Sequence, residues 1–148
     1  NQDMTTLYSA AREAAVTRNE TNDCAVRAIS IACGVPYDVA HATLRDLGRK
    51  DRDGTQRHAT HAAIEKLGYT TIRVRKADVI AHYPKPHCDK LRNITTHHPD
   101  RFASVWPQGA YLLFTSGHVA AVVDGEVHDW TRGRAVRVQS MYRVVKKD

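Results

Sequence analysis

Hydrophobic positions recur at helical spacing through the first half of the chain and in strand-like runs through much of the second. Leu7, Ala10, Ala11 and Ala14 form one stripe of Met4–Thr17, set among Tyr8, Arg12 and Glu13, which predicts an amphipathic helix. The polar run Arg18-Asn19-Glu20-Thr21-Asn22-Asp23 follows as a turn. Cys24–Cys33 is dense in apolar residues and stops at Gly34, a natural C-cap, with Asn22 or Asp23 placed to cap its first turn through a side-chain oxygen. Pro36 opens a third helix, Pro36–Leu47, closed by Gly48. After the charged loop 49–57 comes a fourth, Arg57–Leu67, ending at Gly68, and Tyr69–Arg75 alternates as a first strand. Between Lys76 and His98 no period holds, and Pro84 and Pro86 mark a long loop. Pro99–Trp106 reads as a short helix, and four strands follow: Ala110–Thr115, His118–Val123, Glu126–Thr131 and Ala135–Val144. Helices first and strands second predict an α+β fold, with N-terminal helices packed on a C-terminal antiparallel sheet. Neither side of Lys76–His98 keeps enough core alone, so residues 1–148 are expected to form a single domain.

Composition narrows the class. With 148 residues, 42% hydrophobic and 26% charged, the chain has the balance of a soluble globular protein and not of a disordered or low-complexity one. No apolar run approaches the ~18 residues of a membrane helix, so no membrane association is expected. Residues 1–3 before Met4 carry neither a basic nor an apolar signal region, and the odd count of three cysteines (Cys24, Cys33, Cys88) fits a reducing compartment; the expectation is a cytoplasmic protein. The net charge is +6, and residues 132–148 hold six Arg and Lys against one acid, Asp148. Such charge guards a sheet edge and supports weak, salt-sensitive polyanion binding. A dedicated nucleic-acid reader is not expected, because the sequence has neither a glycine-rich phosphate loop nor aromatics interleaved with the basic residues.

Nine histidines raise the question of metal. His58 and His61 stand at i, i+3, and His87-Cys88 precedes His97-His98, but no Cys-x-x-Cys pair occurs and the spacing fits no finger. Neither a metal nor a cofactor is expected. His41 and His82 have no partner visible in the sequence.

The chemistry concentrates at a hairpin and a helix start. Asp124-Gly125 between apolar runs signals a two-residue hairpin, which sets Val123 against Glu126, Val122 against Val127 and Ala121 against His128, then Ala120 against Asp129 and His118 against Thr131. Alternation puts His118, Ala120 and Val122 on one face with Val127, Asp129 and Thr131, so His118 and Asp129 are diagonal neighbours; His128 turns to the other face, toward solvent. A carboxylate on one imidazole nitrogen fixes the tautomer and aims the other at a partner. Cys24 is the fitting partner. It stands in the first turn of its helix, where free amides and the macrodipole favour thiolate, whereas Cys33 lies at the opposite end and Cys88 in the irregular loop.

Cysteine on an early helix, histidine on one strand and aspartate on the next resembles the papain-like cysteine peptidases. The likeness is nearest to the leader-cleaving peptidases of bacteriocin exporters and their small phage and bacterial relatives. It is carried by Asn22-Asp23-Cys24, by Gly117-His118-Val119-Ala120-Ala121-Val122-Val123 and by Val127-His128-Asp129-Trp130. The resemblance implies a papain-like fold and a Cys24–His118–Asp129 triad that cleaves peptide or isopeptide bonds of a protein or peptide substrate through an acyl-enzyme. Acyl transfer by the same site, or a degenerate fold kept for binding, are the alternatives. Relatives usually carry a Gln about six residues before the nucleophile as oxyanion donor. Here that position is Arg18, so the resemblance transfers the role to Asn19, with Asn22 as the alternative amide. Trp106 and Trp130 are the aromatic candidates for a groove wall.

Overall fold

A computed structural model describes residues 4–75, 108–131 and 138–148. Its helices are α1 (Met4–Thr17), α2 (Cys24–Cys33), α3 (Tyr37–Asp46) and α4 (Arg57–Lys66). Its strands are β1 (Tyr69–Val74), β2 (Ala110–Thr115), β3 (His118–Val123), β4 (Glu126–His128) and β5 (Ser140–Lys146). The strands form one sheet in the order β1-β5-β2-β3-β4, and each recorded pairing is antiparallel. The α+β expectation holds at this level. The expected loop over 76–98 and helix Pro99–Trp106 lie outside the described residues, as does the start of the strand expected from Ala135.

Helix α2 is the centre of the core. Ala25, Val26, Ala28, Ile29, Ser30, Ile31, Ala32 and Cys33 are all buried, so this helix is covered on most of its circumference, as its near-continuous apolar sequence requires. It ends where Gly34 adopts φ 65°, the left-handed conformation that returns the chain toward α3. Leu112, Phe114, Val119, Ala121, Val123 and Val144 on one sheet face join α2 in the main cluster. The alternate residues Tyr111, Leu113, Ala120, Val122 and Met141 are buried as well. Burial on both faces explains why β2 and β3 read as unbroken apolar runs rather than alternating ones.

The hairpin register is the expected one: Val123 opposes Glu126, Val122 opposes Val127 and Ala121 opposes His128. Asp124 and Gly125 sit at φ 48° and 83°, the two positive values of the turn that matches strand twist. The Asp124 carboxylate accepts the Gly109 N–H at 2.9 Å, which ties this turn to the start of β2. The pairing stops at His128, three residues short of the expected Thr131. Residues 118–120 of β3 therefore have no β4 partner, and this uncovered edge is where the candidate site lies.

Candidate active site

The turn before α2 has a different job from the one expected. Asp23 occupies the N-cap position but makes no capping bond. Its buried carboxylate accepts instead from Arg27 Nε at 2.9 Å and from the Tyr37 hydroxyl at 2.8 Å. Asn22 donates its amide to the Arg52 carbonyl at 3.0 Å. The first-turn amides of α2 are consequently left for whatever sits at the helix start. The Cys24 sulfur takes one of them, Ala25 N–H, and also accepts from Val119 N–H on the uncovered edge of β3.

On the other side of Cys24 stands His118, which hydrogen-bonds the thiol through its side chain. Its Nε2 is 2.8 Å from Asp129 Oδ2, so Nδ1 is the ring nitrogen left for sulfur. Asp129 is itself held. After His128 the chain leaves the strand, and Asp129 Oδ2 accepts from Thr131 N–H at 3.1 Å and Thr131 Oγ1 at 2.6 Å. This side-chain-to-backbone turn is the local alternative to a strand that aspartate favours, and it accounts for the early end of β4. The diagonal His118–Asp129 neighbourhood is thus realised through a turn and not through a continued ladder.

Burial pushes the Cys24 thiol up, but the His118 hydrogen bond and the two amides outweigh it, and the thiol lies below its ordinary value. Burial likewise disfavours the His118 cation; the hydrogen bonds to Asp129 and Cys24 outweigh it and raise the imidazole to about 9. Both directions favour a thiolate–imidazolium pair. Cys33 is the contrast within the same helix, pushed up to about 12 by burial alone.

These groups line a cleft of about 840 Å³ that also includes Gly54, Gln56, Phe114 and Trp130. Trp130, the described one of the two aromatic wall candidates, is 58% exposed, and its ring centroid lies 5.3 Å from that of His118. Asn19, the expected oxyanion donor, is not among the residues lining the cleft. It sits at φ 55° beyond α1, where its carbonyl accepts from Arg52 Nη1 at 3.4 Å. Asn22 lines the cleft, with its amide engaged by Arg52. Gln56, just before α4, lines the cleft and makes no capping bond with its side chain. The sequence offers no local signal for it, because a glutamine in a charged loop is ordinary and its proximity to Cys24 is tertiary.

Two expectations about histidines are corrected. His128 is on the face opposite Asp129 but is buried, because α1 packs against β4. His41 has a partner: its Nε2 is 2.7 Å from Glu20 Oε2, both side chains being almost fully buried. Arg49 donates to both Glu20 oxygens at 2.9 and 3.0 Å, and Arg52 N–H donates at 2.8 Å. The Arg49 hydrogen bond holds the Glu20 carboxyl down at about 2 against the cost of burial. Glu20, His41 and Asp51 are near enough to share an ion. The Arg49 guanidinium already occupies the Glu20 carboxylate, which makes this cluster an ion-pair hub in place of a metal cage. His61 hydrogen-bonds Thr71 Oγ1 at 2.9 Å and packs edge-on against Tyr142, which makes it a packed side chain of the α4–sheet contact. His87, Cys88, His97 and His98 lie outside the described residues. No helix of the described residues is long and apolar enough to cross a membrane. Comparison of the chain with protein-family models, with curated proteins and with solved structures returns no match.

Proposed function

We propose that this chain is a papain-like cysteine hydrolase that cleaves peptide or isopeptide bonds through a Cys24 acyl-enzyme. The reading is carried by one observation: His118 hydrogen-bonds Cys24 on one side and the anchored Asp129 on the other. In this mechanism Cys24 Sγ, as thiolate, attacks the carbonyl carbon and forms the S–C bond. The His118 imidazolium gives its proton to the departing amine as the C–N bond breaks. Water then attacks the thioester, His118 takes its proton, and the carboxylic acid leaves with the sulfur again as thiolate. The free amides at the start of α2 face the developing oxyanion, and Gln56 replaces Asn19 as the candidate side-chain donor. Asp129 keeps the imidazole oriented and favours its charged form. The proposal extends to a single papain-like domain acting on protein or peptide substrates in the cytoplasm.

Incubation with iodoacetamide at pH 6, followed by intact mass and peptide mapping, tests this reading. The expected result is that Cys24 is modified far faster than Cys33 or Cys88, and that its modification is far slower in His118→Ala. Equal labelling of Cys24 and Cys33, or a His118→Ala rate equal to that of the unmodified protein, would refute it.

A further inference from the structure

The buried hub around Glu20 lies outside the triad, yet it joins two chain segments that both contribute lining residues to the cleft. One segment, 18–23, runs directly into Cys24. The other, 47–56, runs into α4 and contributes Gly54, Thr55 and Gln56 to the lining. Neither segment has regular structure, so nothing in a helix or strand fixes their separation. Side-chain bonds do so instead. Glu20 from the first segment holds Arg49 and the Arg52 amide from the second, and Arg49 Nη2 reaches back to the Thr21 carbonyl at 3.4 Å. Two reciprocal ties, Asn22 Nδ2 to the Arg52 carbonyl and Arg52 Nη1 to the Asn19 carbonyl, close the seam.

The backbone records the same constraint. Asn19, Asn22 and Arg52 all have positive φ, at 55°, 52° and 65°. Asparagine tolerates this conformation through its short side chain, whereas Arg52 is held in it by its bonds to Glu20, Asn22 and Asn19. All three left-handed residues belong to this seam. The only other non-glycine residue with positive φ among those described is Asp124, in the hairpin turn.

We propose that Glu20 is a positioning residue that fixes the width of the cleft, so that an extended acyl substrate is held over Cys24 between the two segments. This rests on the cysteine-hydrolase reading and adds to it a specific requirement. The hub should matter for reagents long enough to touch both segments and not for reagents that touch sulfur alone. Nothing in the hub touches Cys24, His118 or Asp129, so the intrinsic thiolate chemistry is independent of it.

The test compares two reagents on Cys24: iodoacetamide, and a pool of tripeptidyl chloromethyl ketones of varied side chain. Glu20→Gln leaves the Arg49 cation buried and short of its counter-ion, so it risks unfolding. The double variant Glu20→Leu with Arg49→Met removes both charges together and leaves His41 with Asp51, 3.3 Å away, as its partner. In the folded double variant the iodoacetamide rate should stay within about twofold, while the tripeptidyl rate falls about 10- to 100-fold, the scale of an ångström-level misplacement. Amide exchange should rise in 47–56 and 18–23 together. Equal changes for both reagents, no change for either, or a pool that never labels the unmodified protein would overturn the proposal. An unmodified protein in which iodoacetamide fails to prefer Cys24 would instead overturn the hydrolase reading, whatever the variants do.

Discussion

Replacing Asp129 by asparagine isolates the charge of the triad's third member from its shape. The asparagine carbonyl oxygen can stand where Oδ2 stands, accepting from His118 Nε2, Thr131 N–H and Thr131 Oγ1, bonds now 2.8, 3.1 and 2.6 Å long. The fold and the imidazole orientation are therefore retained. What is lost is the carboxylate charge: the His118 cation then donates to a neutral acceptor in place of an anion, a difference on the order of 1–1.5 kcal/mol. About 1–1.5 kcal/mol less stabilisation of the imidazolium corresponds to about one pH unit, or tenfold in the thiolate–imidazolium population. His118 is raised to about 9 in the intact site, so the pair then survives to about that pH. In Asp129→Asn the imidazolium should therefore lose its proton about one pH unit lower, so that the alkaline limit of the thiolate–imidazolium range in the Cys24 alkylation profile moves down from about 9. Near pH 10 the two proteins should converge, because the thiol there ionises without help. Pseudo-first-order iodoacetamide kinetics by intact mass, from pH 5 to 10, measure this directly. An unmoved alkaline limit would show that Asp129 does not support the pair. The same shift in His128→Ala would show that the drawn hairpin face is wrong.

Other outcomes follow from single features. Burial raises Cys33 to about 12, so iodoacetamide should leave it unlabelled below pH 9 until denaturant is added; quantitative peptide mapping checks this. Glu20 is depressed to about 2 in the folded protein, so its contribution to stability is complete above the ordinary carboxyl value near 4.5 and is lost as pH falls toward 2. Acid titration followed by circular dichroism should show that loss, and the Glu20→Leu/Arg49→Met variant should lack this component. Gly125→Val places a β-branched residue at φ 83°, at a cost of roughly 1–2 kcal/mol. That should lower the melting temperature by about 2–4 °C per kcal/mol and slow Cys24 alkylation, since this turn sets the register that carries His118 to Asp129.

Local signals in the sequence pointed to the Cys24, His118 and Asp129 cluster, and tertiary pairings hid its surroundings. Asp124-Gly125 specifies a turn within two residues, and strand alternation carries that information outward to Ala121 and His128, one residue short of Asp129. The electrostatics of Cys24 are equally local, since a helix start is set by its own few residues. Glu20 is different: its partners His41, Arg49 and Arg52 are 21 to 32 positions away, so no window of periodicity contains the hub. Gln56 and the burial of His128 depend in the same way on which element packs where. The early end of β4 was legible in principle, because aspartate followed two residues later by threonine competes with strand pairing. The apolar alternation through Val127 outweighed that cue. The absence of an oxyanion glutamine before Cys24 was also plain, but the cleft's own glutamine lies on a segment that only folding brings near.

The sheet order has a consequence for how the site comes into being. Strand β5 lies between β1 and β2, pairing Tyr142 with both Arg73 and Leu112, although it follows the other four described strands in the chain. Until it arrives, α4 and β1 have no sheet bond to the β2–β3–β4 part that bears His118, and Arg57 lacks the Gln139 and Ser140 side chains that it joins across that seam. One wall of the cleft is therefore incomplete while the chain is still emerging. A nascent or C-terminally clipped chain would hold a helix with its cysteine and a hairpin with its histidine, but no closed groove. On the proposed reading, assembly order withholds the finished site until β5 is in place.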